Sequence, residues 1–185
     1  RASQRLRLRL EPEVGFLRAD QADEATVAAI VAIVNRAYDD AERGMWNRDI
    51  SRTSVADVAA RAVAGELVVG RFGGRLVGAV FTRILDDGAG WFGALGVDRA
   101  LDGRGIGGSL VEFVEASARA RGAHEMQLEL LVPRGGRSHT DRLAAWYERR
   151  GYRETRTAAL AEIDPASVAL AAVPMHVSIM RRPLA

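Results

Sequence analysis

Glycines at 103, 105, 107 and 108 interrupt the chain between an apolar run, 91–97, and an amphipathic segment that begins near Ser109. A strand, a glycine-rich turn and a helix N-terminus in series point backbone N–H groups and the positive end of a helix dipole at one place. Without Cβ atoms, the turn lets an anion come close to the backbone. The chemistry this predicts is the holding of a phosphate or pyrophosphate, so a phosphate-bearing cofactor is the first functional expectation. A dinucleotide fold suits these glycines poorly, because the strands before them read as a hairpin meander rather than a βαβ unit. A phosphate loop of the lysine-bearing kind is excluded, because the chain has no lysine. His124, His139 and His176 have no metal-site spacing and read as surface residues.

The elements that must position this loop are legible from period and punctuation. Arginine and leucine alternate over 5–10, which suggests an edge strand or an extended basic arm. A short strand is predicted over 14–18. Asp20 or Asp23 can cap a helix whose apolar positions run from Ala28 to Tyr38. Residues 39–52 are polar and irregular, with Trp46 among them. Thr53 or Ser54 can cap a second helix that ends at Gly65. Strands are predicted over 66–72 and 75–84, joined by the two-residue turn Gly73-Gly74, and a third over 91–97 after Asp86-Asp87-Gly88. A helix over 109–121 ends at Gly122. A strand over 125–132 stops at Pro133, a helix over 141–150 stops at Gly151, and the last strands are 152–160 and 175–182.

With 185 residues, 48% of them hydrophobic, the chain is expected to form one domain with a substantial core. Residues 12–185 make up that domain, and residues 1–11 are the arm. No stretch reaches the roughly 18–20 apolar residues of a membrane span. No secretion signal is visible, so the cytoplasm is the expected compartment. The absence of cysteine excludes disulfides, thiolate metal sites and a cysteine nucleophile. All 26 basic residues are arginine, a usage that fits mutational bias toward GC-rich codons. A net charge of +2 spread along the chain gives no case for a nucleic-acid partner.

At this point the chain resembles the GNAT superfamily, the acetyl-CoA-dependent N-acyltransferases. The superfamily's cofactor motif is Gln/Arg-x-x-Gly-x-Gly/Ala, and Asp102-Gly103-Arg104-Gly105-Ile106-Gly107 stands in its place. A second signature is an aromatic residue on the last helix shortly before Gly-Phe or Gly-Tyr; here it is Trp146-Tyr147-Glu148-Arg149-Arg150-Gly151-Tyr152. The resemblance implies an α/β (α+β) fold, a mixed and mostly antiparallel central sheet flanked by helices in the order βααβββαβαββ. It implies acetyl-CoA as co-substrate, no metal, and a small-molecule or peptide amine as acceptor. Neither nucleic acid nor membrane is expected as a partner, and a homodimer is allowed. The chain departs from the family pattern at Asp102, where Arg99 or Arg104 would have to pair with the carboxylate, and at Thr140, where relatives often carry asparagine.

By the same resemblance, the backbone of Leu95, Gly96 and Val97 pairs with the pantetheine arm, and Gly103, Arg104, Gly105, Ile106, Gly107 and Gly108 offer N–H groups to the pyrophosphate. Thr140 joins the cofactor set. Tyr147 takes the place of the general acid, and an N–H near Leu95 or Gly96 that of the oxyanion donor. Amine acylation also needs a proton acceptor. Glu129 stands in an otherwise apolar stretch, 128–132, where desolvation would raise its pKa toward that of a useful base; a water chain is the other option. Tyr38 and Trp46 are candidates to line the amine pocket. A non-catalytic acyl-CoA-binding sensor of the same fold is the alternative to the transferase.

Overall fold

The computed structural model describes residues 11–48, 50–135 and 138–185, so the alternating segment over 5–10 lies outside the described residues. Local signals set most boundaries. Asp23 caps α1 (Glu24–Ala41) by accepting the Thr26 N–H at 2.7 Å. Ser54 and Asp57 form a reciprocal capping box on α2 (Val55–Ala64), which ends at Gly65 in the left-handed region. Asp20 is not a cap; it pairs with Arg18 beside a short 3₁₀ turn. Gly73 and Gly74 both have positive φ, 58° and 77°, as a tight hairpin between β2 (Leu67–Phe72) and β3 (Arg75–Ile84) requires.

The remaining elements are β1 (Glu13–Phe16), β4 (Gly90–Val97), α3 (Ile106–Ala120), β5 (Glu125–Pro133), α4 (Ser138–Arg149), β6 (Arg153–Ala159), a single turn α5 (Leu160–Ile163) and β7 (Met175–Pro183). The order is the expected one, with additions after β6: α5 and a 3₁₀ segment, Pro165–Leu170, occupy a stretch left unassigned by the sequence pattern. The helix starts on either side of β5 also depart: α4 begins at Ser138 rather than Asp141, placing Thr140 in helix, and α3 begins early. The helix begins at Ile106, three residues before Ser109, with Gly105 at φ 82° as its N-cap. Burial of Ile106, 1% exposed, against the core holds the Gly-rich turn in helix.

The seven strands form one sheet in the order β1-β2-β3-β4-β5-β7-β6. Every pairing is antiparallel except that of β4 with β5, which is parallel and confined to Gly90↔Met126 and Trp91↔Gln127. Gly90 permits that meeting: a Cβ there would fall 2.5 Å from Met126 Sδ and 2.6 Å from Ala118 Cβ. Beyond Trp91 the two strands part, while β5 stays paired with β7 as far as Pro133↔Met175. One face of the sheet carries α1 and α2 over Val27, Ile30, Val34, Val58 and Phe81. The other carries α3 and α4 over Leu110, Val114, Phe92, Tyr147 and Tyr152. Burying these two apolar layers is the main favourable term in holding the sheet and helices together.

Candidate active site

Where β4 leaves β5, a cavity of about 1100 Å³ opens, walled by both strands, α1 and α4 and reaching α5. A single small ligand needs roughly 300–1000 Å³, so the space suits two reactants. β4 is irregular here. Its register with β3 shifts between Ala79 and Phe81, and Ala94 has φ 50°. A left-handed alanine turns the local N–H groups out of the sheet ladder. Tyr38 reaches across from α1 to the same wall, where the nearby Leu95 and Ala94 backbone acts to lower its pKa slightly. Burial nevertheless pushes the Tyr38 phenol up from its ordinary pKa, as the largest influence on it.

At one end of the cavity, α3 presents its first turn. Its first intrahelical bond runs from Ser109 N–H to Gly105 C=O at 2.9 Å, so the amides of Ile106, Gly107 and Gly108 precede the helical ladder. Leu95, Val97, Gly107 and Thr140 line the cavity. Gly103, Arg104 and Gly105 form the exposed turn beside it. The other three expected cofactor residues have their side-chain directions taken up by packing. Ile106 is in the core. A Cβ on Gly96 would fall 2.8 Å from Val34 Cα, so this glycine seats α1 on β4. A Cβ on Gly108 would fall 2.4 Å from an Arg150 guanidinium nitrogen, so this glycine leaves room for the Arg150 side chain over α3. For these residues only the backbone is left to meet a ligand. The partners expected for Asp102 are elsewhere: Arg99 binds Asp40 at 2.5 Å, and the Arg104 guanidinium lies 5.9 Å from the Phe72 ring centre.

On the cavity wall stands Tyr147, 5% exposed, its ring packed against Trp146, Tyr152 and Phe92 at centroid distances of 4.9, 5.8 and 5.9 Å. Burial drives its pKa far above that of a free phenol, so the hydroxyl stays protonated. Glu129 also lines the cavity, but its side is exposed and its carboxylate accepts only the Gln127 amide, at 3.3 Å, among the described residues. The desolvation expected from its apolar neighbours is not found, because Leu128 and Leu130 point to the opposite face of the strand.

Of the two aromatics expected at the acceptor, Tyr38 lines the cavity and Trp46 does not. Trp46 packs beside Ile163 and Met175, bridges to Ala171, and donates its indole N–H to Glu42 at 2.7 Å. Glu42 is the residue that reading the sequence missed. It lines the cavity one helical turn after Tyr38, also receives Arg52, and the Arg52 guanidinium stacks 4.3 Å from the Tyr38 ring centre. The spacing Tyr38, Glu42, Trp46 is a repeat of four, a signal that could have found it. Asp164 and His139 line the cavity too, His139 from an exposed position on α4. Among the described residues there is no cluster of three or more His, Asp or Glu able to hold a metal, and no helix is long and apolar enough to cross a membrane.

Comparison with known proteins agrees with this geometry. Residues 64–154, from the end of α2 to the start of β6, match the acetyltransferase (GNAT) domain. No curated protein matches the sequence. Among solved structures, the chain is similar to an aminoglycoside 6'-N-acetyltransferase complexed with coenzyme A, with a TM-score of 0.68 at 13% identity over 94% of this chain and 97% of that one. It is similar to the ribosomal-protein-S18-alanine N-acetyltransferase of Escherichia coli, with a TM-score of 0.64 at 15% identity over 95% of both chains. Ard1 from Thermoplasma volcanium gives 0.64 at 14% identity, over 94% of this chain and 98% of its own. At such identities the likeness is one of fold.

Proposed function

We propose that this chain, a member of the GNAT superfamily, is an N-acetyltransferase that moves an acetyl group from acetyl-CoA to a primary amine by direct attack in a ternary complex. The observation that carries the reading is the parting of β4 from β5, with the first turn of α3 at Gly107 and the Tyr147 ring both on the wall of the resulting cavity. The unpaired edge of β4 can take an extended pantetheine arm as one more strand. The first-turn amides of α3 suit a pyrophosphate, and only Val97, at 3.7 Å, comes near the side-chain direction of Gly107.

The step to be catalysed forms a C–N bond, breaks a C–S bond and moves one proton from nitrogen toward sulfur. The backbone amides of Ala94 and Leu95 lie near the Tyr38 hydroxyl, where both residues line the cavity wall with it. A thioester carbonyl oxygen placed there would inherit fixed donors, which stabilise the developing oxyanion. Tyr147, held protonated by burial, donates a hydrogen bond to the departing thiolate. A free thiol has a pKa near 8.5, below that of this buried phenol, so complete transfer of the tyrosine proton is uphill. Hydrogen bonding rather than full acid catalysis is therefore its contribution. Glu129, exposed at the cavity wall, accepts the amine proton directly or through water.

The test is acetyl-CoA cleavage followed by thiol detection across a panel of amines, with a co-structure with CoA to locate the loop contacts. Amine-dependent thiol release is the expected result. Tight CoA binding without turnover of any amine would instead identify a sensor of the same fold.

A further inference from the structure

The far end of the cavity is built for one kind of acceptor. Its wall comes from Met45, Leu131, Leu160, Ile163 and Val177, drawn from four separate segments. Met45, Val177 and Leu160 are 1%, 2% and 7% exposed, so this wall is held in place by the core. The charged groups at this end are largely spent on each other. One oxygen of Glu42 holds Arg52 and the other holds the Trp46 indole, while Arg52 lies flat over Tyr38. That pair is neutral overall, and both Glu42 oxygens are engaged. Asp164 differs. It is half-buried, lines the cavity, accepts the Ser167 amide at 3.3 Å, and has no arginine partner among the described residues.

We infer that the acceptor is a monoamine carried on an apolar aliphatic or aromatic body, with the body against the Leu131–Leu160–Ile163 wall and its ammonium drawn into the cavity by Asp164 and Glu129, the latter taking its proton before attack on the thioester. This rests on the acyl-transfer reading above and specifies its substrate. A polyamine or an amino sugar would bring several charges or hydroxyls to a wall that can pair few of them, and an unpaired buried polar group is costly. An apolar body gains affinity from the same wall through simple burial.

The experiment is calorimetric titration of propylamine, butylamine, pentylamine and hexylamine into the protein saturated with CoA, where no acetyl group is available and binding alone is read. Each buried methylene is worth about fourfold in affinity, so hexylamine should bind about 60-fold more tightly than propylamine. Spermidine, which adds charge instead of apolar surface, should bind more weakly than hexylamine. Leu131→Asn should flatten the series, with its CoA affinity serving as the check on folding. A series that varies less than about fourfold from end to end, or tighter binding of spermidine, overturns the inference while leaving CoA binding intact. Failure of the wild-type protein to bind CoA overturns the acyl-transfer reading itself, and this inference with it.

Discussion

Replacing Gly107 with valine tests the phosphate cradle without endangering the fold. Gly107 is in the first turn of α3, its φ is not positive, and a Cβ built on it would meet only Val97 Cγ2, at an ordinary contact distance of 3.7 Å. The protein should therefore fold, since removing a helical glycine also recovers up to about 1 kcal/mol of backbone entropy. The added methyls would project into the cavity that Gly107 lines. They stand between the ligand and the amides of Ile106, Gly107 and Gly108. A hydrogen bond from an amide to a charged phosphate oxygen is worth about 1.5–3 kcal/mol, which is about 10- to 150-fold in affinity for each one lost. Displacing the pyrophosphate from even one amide should weaken CoA binding by at least about tenfold. Calorimetry with CoA, alongside a thermal melt, gives the answer. A valine protein that melts like the wild type and binds CoA within about threefold of it would show that the phosphates are held elsewhere.

Three further outcomes follow from the same geometry. Tyr147→Phe keeps the ring packed against Phe92 and Tyr152 and should lower kcat by about 10- to 150-fold, the worth of one hydrogen bond to a charged sulfur (about 1.5–3 kcal/mol); a fall of less than about threefold assigns the tyrosine to packing alone. Because burial raises the Tyr147 pKa above 10, the active neutral form persists through pH 10, and an alkaline loss of kcat near pH 8–9 that vanishes in the phenylalanine variant would contradict its assigned state. Glu129→Gln should slow the reaction mainly near and below neutral pH, whereas superimposable pH–rate profiles would leave the proton to water. Gly96→Ala drives a Cβ to within 2.8 Å of Val34 Cα and should cost about 1–3 kcal/mol in chemical denaturation, and an unchanged midpoint would show that α1 does not rely on that close approach.

The parts of the fold that were legible are those written by neighbours in sequence. Asp23, Ser54, Gly65 and the Gly73-Gly74 turn act within a few residues of themselves, and each appears where it was expected. The start of α3 was misplaced because Ile106-Gly107-Gly108 has poor helix propensity. Burial of Ile106 and the seating of Arg150 over Gly108 supply the tertiary contacts that overrule it. Glu129 shows the opposite error. Its apolar neighbours suggested a desolvated carboxylate, yet in a strand the residues on either side face away, and sequence adjacency says little about environment.

The cavity itself depends on contacts that no local pattern records. β4 and β5 meet at two register positions because Gly90 makes room for Met126 and Ala118, residues 36 and 28 positions away along the chain. They part beyond Trp91, and the left-handed Ala94 then turns amides toward the space that is left. The acceptor end is more dispersed still. Tyr38 and Glu42 are one turn apart at the end of α1 and were partly readable, but Arg52, Leu131, Leu160, Asp164 and Val177 join them only once β5, β7 and α5 are in place. The cofactor end is a continuous strand–turn–helix, so a resemblance in sequence can reach it. The acceptor end is assembled from segments more than a hundred residues apart, and each can vary without disturbing that strand–turn–helix. On the proposed reading, the donor end can therefore stay constant while the acceptor end varies.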